Sequence, residues 1–197
     1  MPRKRLVVNA DDFGFTPDVN EGIVEAHQKG VLSATTLMAN GDAFDDAVRL
    51  AAAVPSLDVG CHLVLIGGNS LLPPFRPLPA SVSELLTAIV SRQIRIYEEF
   101  AAQVRKIVAA GIVPTHIDTH KHTHLAPPVL NAVAAIAQDF DIPWVRRPFD
   151  LPIAAARGAA PWLKRTTSDG LQFLRKRFQS VLAEHACLST DHFAGFQ

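Results

Sequence analysis

A chain of 197 residues, 48% hydrophobic and 19% charged, holds enough apolar material for one good-sized domain with a substantial core. Lysine plus arginine equals aspartate plus glutamate at 19 each, so no global field draws the chain to nucleic acid or to an acidic surface. No stretch approaches the roughly 20 apolar residues of a membrane-spanning helix. The basic start MPRKR is followed only by Leu6-Val7-Val8 before Asn9, too short for the apolar core of a signal peptide. Cys61 and Cys187 fit no CxxC pattern, so the expectation is a cytoplasmic protein with free thiols.

In chain order, Arg5 to Ala10 reads as a short strand whose unbroken apolar run suits burial on both faces, with Asp11 and Asp12 right after its end. Asp18 to Lys29 places Val19, Ile23, Val24 and His27 at helical spacing and closes on Gly30. A second strand is predicted over Ser33 to Met38, a helix over Phe44 to Val54, and an apolar third strand over Leu57 to Ile66 that contains Cys61-His62. This β-α-β-α-β alternation implies a parallel sheet with right-handed crossovers. Gly67 to Pro79, rich in proline, is predicted to be a long loop of the kind that often serves binding. Two helices follow, Ser81 to Val90 and Ile94 to Ala110, stopped by Gly111.

The stretch Thr115-His116-Ile117-Asp118-Thr119-His120-Lys121-His122-Thr123-His124 then packs four of the eight histidines into ten residues. His116, Asp118, His120, His122 and His124 fall on every second position, which in an extended segment directs them to one face. A row of imidazoles with a carboxylate is the chemistry of a divalent metal site, and Ile117 and Thr119 between them suit a half-buried strand better than a solvated tract. Pro127 opens another helix to about Phe140, Ile142 to Val145 is a fifth strand ending at Arg146-Arg147, and Gly170 to Glu184 is a helix. Leu151 to Pro161 is ambiguous, and Cys187 to Thr190 is a candidate sixth strand.

In parallel α/β folds, active sites lie at the carboxyl ends of the strands. There the reading gathers Asp11 and Asp12, His62, the histidines from His120 to His124, and Arg146 with Arg147. His62 has apolar neighbours and needs a buried partner. One aspartate and two histidines form a competent facial set for zinc or another first-row divalent ion, magnesium not excluded, and a second carboxylate can act as general base. This chemistry fits a metal-dependent hydrolase or lyase.

The segments LVVNADDFGFTPDVNEGIVEAHQKGVLSATTLMANGDAF, PSLDVGCHLVL and PTHIDTHKHTH resemble the YdjC family of carbohydrate deacetylases, which includes chitooligosaccharide deacetylases. The wording RRP after the fifth strand and STDHFAGF near the end is similar to the branch associated with hopanoid biosynthesis. The resemblance implies an α/β fold, a parallel β/α barrel-like (TIM-like) single domain. It also implies one divalent ion, zinc or magnesium, on Asp12, His62 and His120, with Asp11 as general base. The expected substrate is an N-acetylated amino sugar or glycolipid, oriented by His122, His124 and Arg147, with His116 and Asp118 in supporting positions. Family members continue beyond the equivalent of Gln197, with a late His-Pro motif that supplies the general acid; His192 is not at that position. The expected barrel is therefore incomplete, and its exposed sheet edges favour a homo-oligomer. The rival readings are a metal-dependent phosphoester or glycoside hydrolase, and a metal- and sugar-binding fragment without turnover.

Overall fold

The computed structural model describes residues 5–148 and 161–194. Five parallel strands form one sheet in sequential order: β1 (Asn9–Phe13), β2 (Ala34–Leu37), β3 (Asp58–Leu63), β4 (His116–Thr119) and β5 (Trp144–Val145). Helices α1 (Pro17–Lys29), α2 (Phe44–Ala53), α3 (Val82–Val90), α4 (Ile96–Ala109), α5 (Pro127–Asp139) and α6 (Pro161–Glu184) and a 3-10 turn over His120–Leu125 make up the rest of the regular structure among the described residues. Sequential parallel order is that of a β/α barrel wall, but among the described residues the sheet is an open arc.

Apolar patterning places these elements. All of β2 is buried, and in β3 only Asp58 is exposed, because both faces of the sheet are covered. Helix α1 starts on Pro17, where a missing amide is harmless, and turns Ile23 and Val24 inward. One core cluster runs from Phe13 and Leu37 through Leu63, Phe100, Ile117 and Val133 to Phe178.

Three expectations need correction. The first strand is Asn9–Phe13 rather than Arg5 to Ala10, and Leu6 and Val7 are exposed. Its pairing steps from Ala10↔Thr35 to Phe13↔Leu37, three residues against two, so Asp11 and Asp12 lie inside a bulged strand instead of after it. The apolar run Leu6-Val7-Val8 marked a strand, but the partners available on buried β2 shift the pairing toward Phe13. The expected sixth strand shrinks to a single bridge, Trp144↔Leu188, where Val145 N donates to Leu188 O at 2.9 Å and Leu188 N to Pro143 O at 2.7 Å. The helix predicted from Gly170 begins already at Pro161, and residues 151–160 of the ambiguous stretch lie outside the described residues.

The long loop after β3 folds back on itself through the antiparallel bridge Asn69↔Pro77. Its base is held by buried Glu99 of α4, which accepts from the Ser70 hydroxyl, from Leu71 N at 3.1 Å and from Gln103 Nε2 at 2.8 Å. Gln103 in turn pairs with both backbone groups of Val64, two residues beyond His62.

Candidate functional site

The bulge in β1 decides where two adjacent carboxylates go. Asp12 has φ 64°, and its carbonyl accepts from Phe15 N at 3.0 Å in a tight turn. Buried Asn20 secures that turn: its Oδ1 accepts from Gly14 N at 2.6 Å while its Nδ2 donates to Ala43 O and to Asp46. The next strand end passes so close that a Cβ on Gly41 would stand 2.1 Å from Gly14 O, which only glycine tolerates.

Asp12 Oδ1 then lies 3.2 Å from His62 Nε2 of β3 and 3.1 Å from His120 Nδ1 just beyond β4, and the two nitrogens are 3.2 Å apart. A triangle of these sides has its corners about 1.8 Å from its centre, a spacing that would suit the roughly 2.0–2.2 Å of zinc to imidazole nitrogen or carboxylate oxygen. The donor set also fits by its chemistry. His62 Nδ1–H donates to Asp118 Oδ1 at 2.6 Å, which leaves its Nε2 lone pair facing a second nitrogen and a carboxylate unless a cation or a proton intervenes.

Pairing of His62 with Asp118 follows from the sheet register, since these residues are direct partners across β3 and β4. Burial, the strongest single influence on His62, disfavours its charge, but Asp118 and Asp12 outweigh it and push its pKa up to about 10. Hydrogen bonds from His120 and His62 hold Asp12 far below the ordinary carboxylate range. Burial of Asp118 works toward the neutral acid, yet His62 and Arg146 keep it ionised well below that range.

Asp11 points elsewhere. Arg146, at the end of β5, grips it with two bonds, Nη1 to Oδ2 at 2.8 Å and Nη2 to Oδ1 at 2.6 Å, and reaches Asp118 Oδ2 at 2.6 Å. Asn9 Nδ2 donates to Asp11 Oδ1 at 3.0 Å, and His116 Nε2–H donates to Asn9 Oδ1 at 3.0 Å, so His116 supports Asp11 from inside the sheet. Thr36 completes the buried layer by donating to Asp118 Oδ2 at 3.0 Å.

The histidine row does not remain extended. Strand β4 stops at Thr119, and a 3-10 turn over His120–Leu125 contains Lys121 at φ 53° and His122 at φ 50°. His122 is half-buried, and its ring centroid is 5.7 Å from that of Phe193. His124 is buried; its Nδ1 accepts from the Thr119 hydroxyl at 2.5 Å and its Nε2–H donates to Arg146 O at 3.1 Å, so neither nitrogen is available to a substrate. Burial, followed by the nearby His122, pushes its pKa down to about 3. Arg147 turns away, with Nη1 donating to Asp191 O at 2.6 Å. Of the residues expected to orient substrate, the fold therefore brings neither His124 nor Arg147 to the carboxylates: His124 braces the Arg146 backbone, and Arg146 is the arginine there. The dipeptide Arg146-Arg147 marked the position, but which member reaches the carboxylates is set by side-chain direction just beyond β5.

The fold and this cluster define a parallel α/β protein with convergent carboxylate and imidazole ligand atoms at the carboxyl ends of its strands. A profile of the YdjC-like protein family matches residues 5–197, and the chain belongs to that family. It is 41% identical over 155 residues to a carbohydrate deacetylase of Brevibacillus brevis, covering 74% of this chain and 60% of that protein. A chitooligosaccharide deacetylase of Serratia marcescens is 37% identical over 151 residues, covering 71% of this chain and 58% of its own length. The chain thus spans about three fifths of these relatives. A crystal structure from Enterococcus faecalis V583, of a protein whose suggested role is cellobiose-phosphate cleavage, superposes with TM-score 0.68 at 25% identity over 97% of this chain and 68% of the other.

Proposed function

We propose that the chain carries the metal and base half of a carbohydrate N-deacetylase acting on an N-acetylated amino sugar or glycolipid, with an N-acetylglucosaminyl hopanoid as one candidate. The single observation that carries this reading is the near-equilateral arrangement of Asp12, His62 and His120 beside a separately held Asp11. The names of the relatives supply the substrate class. A divalent ion on the three ligands, zinc or magnesium, would polarise the acetamide carbonyl and acidify water.

The residues of the chain do the rest. Asp11, oriented by Arg146 and Asn9, takes the proton from the water that attacks the carbonyl carbon. Asp118 fixes the tautomer and ring orientation of His62, so that Nε2 faces the site. His122 at the mouth contacts the sugar. The proton collected by Asp11 is available to the amine as the C–N bond breaks. No helix among the described residues is long and apolar enough to cross a membrane.

The test is acetate release from N-acetylglucosamine oligosaccharides, with and without chelator. Turnover should stop on chelation and in Asp12→Asn, His62→Gln and Asp11→Asn; turnover that survives chelation or Asp11→Asn refutes the reading. The role suggested for the Enterococcus protein supports one rival, hydrolysis of a sugar phosphate or glycoside, which the same assay separates when run on cellobiose phosphate. Metal and sugar binding without acetate release would support a non-catalytic fragment.

A further inference from the structure

The described residues gathered around Asp11 and Asp12 are almost all polar, whereas a pyranose ring presents C–H faces that gain from an apolar wall. One half-buried ring supplies such a wall. Phe193 lies 5.7 Å from the His122 ring, edge-on at 70°, and 5.8 Å from the guanidinium of Arg146, the group that holds Asp11. Its position is fixed by two anchors along the same segment: the bridge of Leu188 to β5, and the bond from Arg147 Nη1 to Asp191 O. The segment therefore leaves the sheet edge and returns across the carboxyl end of β5, delivering an aromatic side chain beside the catalytic carboxylate.

We infer that Phe193 is a specificity-determining residue, the apolar platform on which the sugar ring of the substrate packs while its acetamide meets Asp12, His62 and His120. This rests on the deacetylase reading above. Aromatic rings offer large apolar area at small conformational cost, and the cation-π contact with Arg146 holds the ring where a flexible aliphatic chain would wander. Phe15, 52% exposed on the turn after Asp12, is the competing candidate for the same task.

The experiment combines sugar binding with turnover in the 197-residue protein. Di-N-acetylchitobiose binding is followed by saturation-transfer NMR, and acetate release is measured from that sugar and from an N-acetylated short alkylamine, which has no ring to stack. Phe193→Ala should raise the sugar Kd and KM about tenfold with kcat within about threefold, and should affect the alkylamine far less. Phe193→Trp should retain sugar binding. An unchanged Kd overturns the inference, as does an equal loss on both substrates, which would make Phe193 a support for Arg146. So does a loss caused by Phe15→Ala alone. If the wild-type chain binds the sugar but releases no acetate, the deacetylase reading fails while the Kd ratio still tests Phe193.

Discussion

Arg146 joins three elements of the site, and its removal separates two kinds of ion pair. Its bond to Asp118 is fully buried on the carboxylate side, whereas the side chain of Asp11 is 38% exposed. Deleting one partner of a buried pair costs about 3–5 kcal/mol, because the other charge is left without compensation. Asp118 keeps His62 and Thr36 as partners, which places Arg146→Gln near the lower end, about 3 kcal/mol. The exposed half adds at most about 1 kcal/mol. At roughly 2–4 °C per kcal/mol for a protein of this size, the total of about 3–4 kcal/mol should lower the melting temperature by about 6–16 °C. Asp11→Asn breaks only the exposed half and should cost about 1 kcal/mol or less. Urea and thermal unfolding in the presence of chelator measure both variants without a contribution from bound metal. An Arg146→Gln protein within 1 kcal/mol of wild type, or an Asp11→Asn protein as destabilised as Arg146→Gln, refutes the assignment of Asp118 as the buried dependent charge.

Asp118→Asn should weaken zinc binding by about 10–100-fold, measured calorimetrically, since it frees the His62 ring rather than removing a ligand. His124 gives a pH effect of defined sign. In the unfolded chain it binds a proton below pH 6.5, but in the folded protein only near pH 3, so stability is intact above 6.5 and is lost as pH falls through that window. At pH 4.5 the loss approaches about 2.7 kcal/mol, and a His124→Gln variant should show a flatter acid limb; parallel limbs would refute a buried neutral His124. Gly41→Ala should cost about 1–3 kcal/mol by pushing on Gly14 O, and should weaken zinc binding through the Asp12 turn; circular-dichroism melts and calorimetry read the two effects.

Much of the sheet was legible because parallel strands buried on both faces read as short apolar runs between helices with clear stops. The alternation from α1 to β5 follows that signal, and the loop after β3 was visible from its prolines. Two kinds of feature were not. The limits of β1 depend on which residues of β2 are free to pair, a tertiary fact that the run Leu6-Val7-Val8 cannot carry. The choice between Arg146 and Arg147 depends on side-chain direction at a strand of two residues, too short for periodicity to act. Phe193 lies in the STDHFAGF segment, which marked a family resemblance but no role for the ring; its contacts with His122 and Arg146 depend on the pairing of Leu188 with β5.

Sequence periodicity fails in the places where the site is built, and for one reason. In a regular strand Asp11 and Asp12 would point to opposite faces, and one of them would be lost to the far side of the sheet. The extra residue in β1 and the positive φ of Asp12 turn both toward the carboxyl end, one to the histidines and the other to Arg146. At β4 the logic is reversed. An unbroken extended run would have kept five polar side chains on one face and crowded the ligand set, whereas the left-handed pair Lys121 and His122 ends the alternation after His120. His120 is left with Asp12, His122 is turned against the Phe193 ring, and His124 is driven into the protein. Such backbone costs of order 1–3 kcal/mol per residue, and persists only where surrounding contacts over-determine it. Asn20 and Gly41 do so at the first irregularity; Thr119, which bonds both the ring and the amide of His124, does so at the second. Division of labour between adjacent carboxylates therefore originates in the backbone, and the residues that hold these two irregular turns matter to the site as much as those that face it.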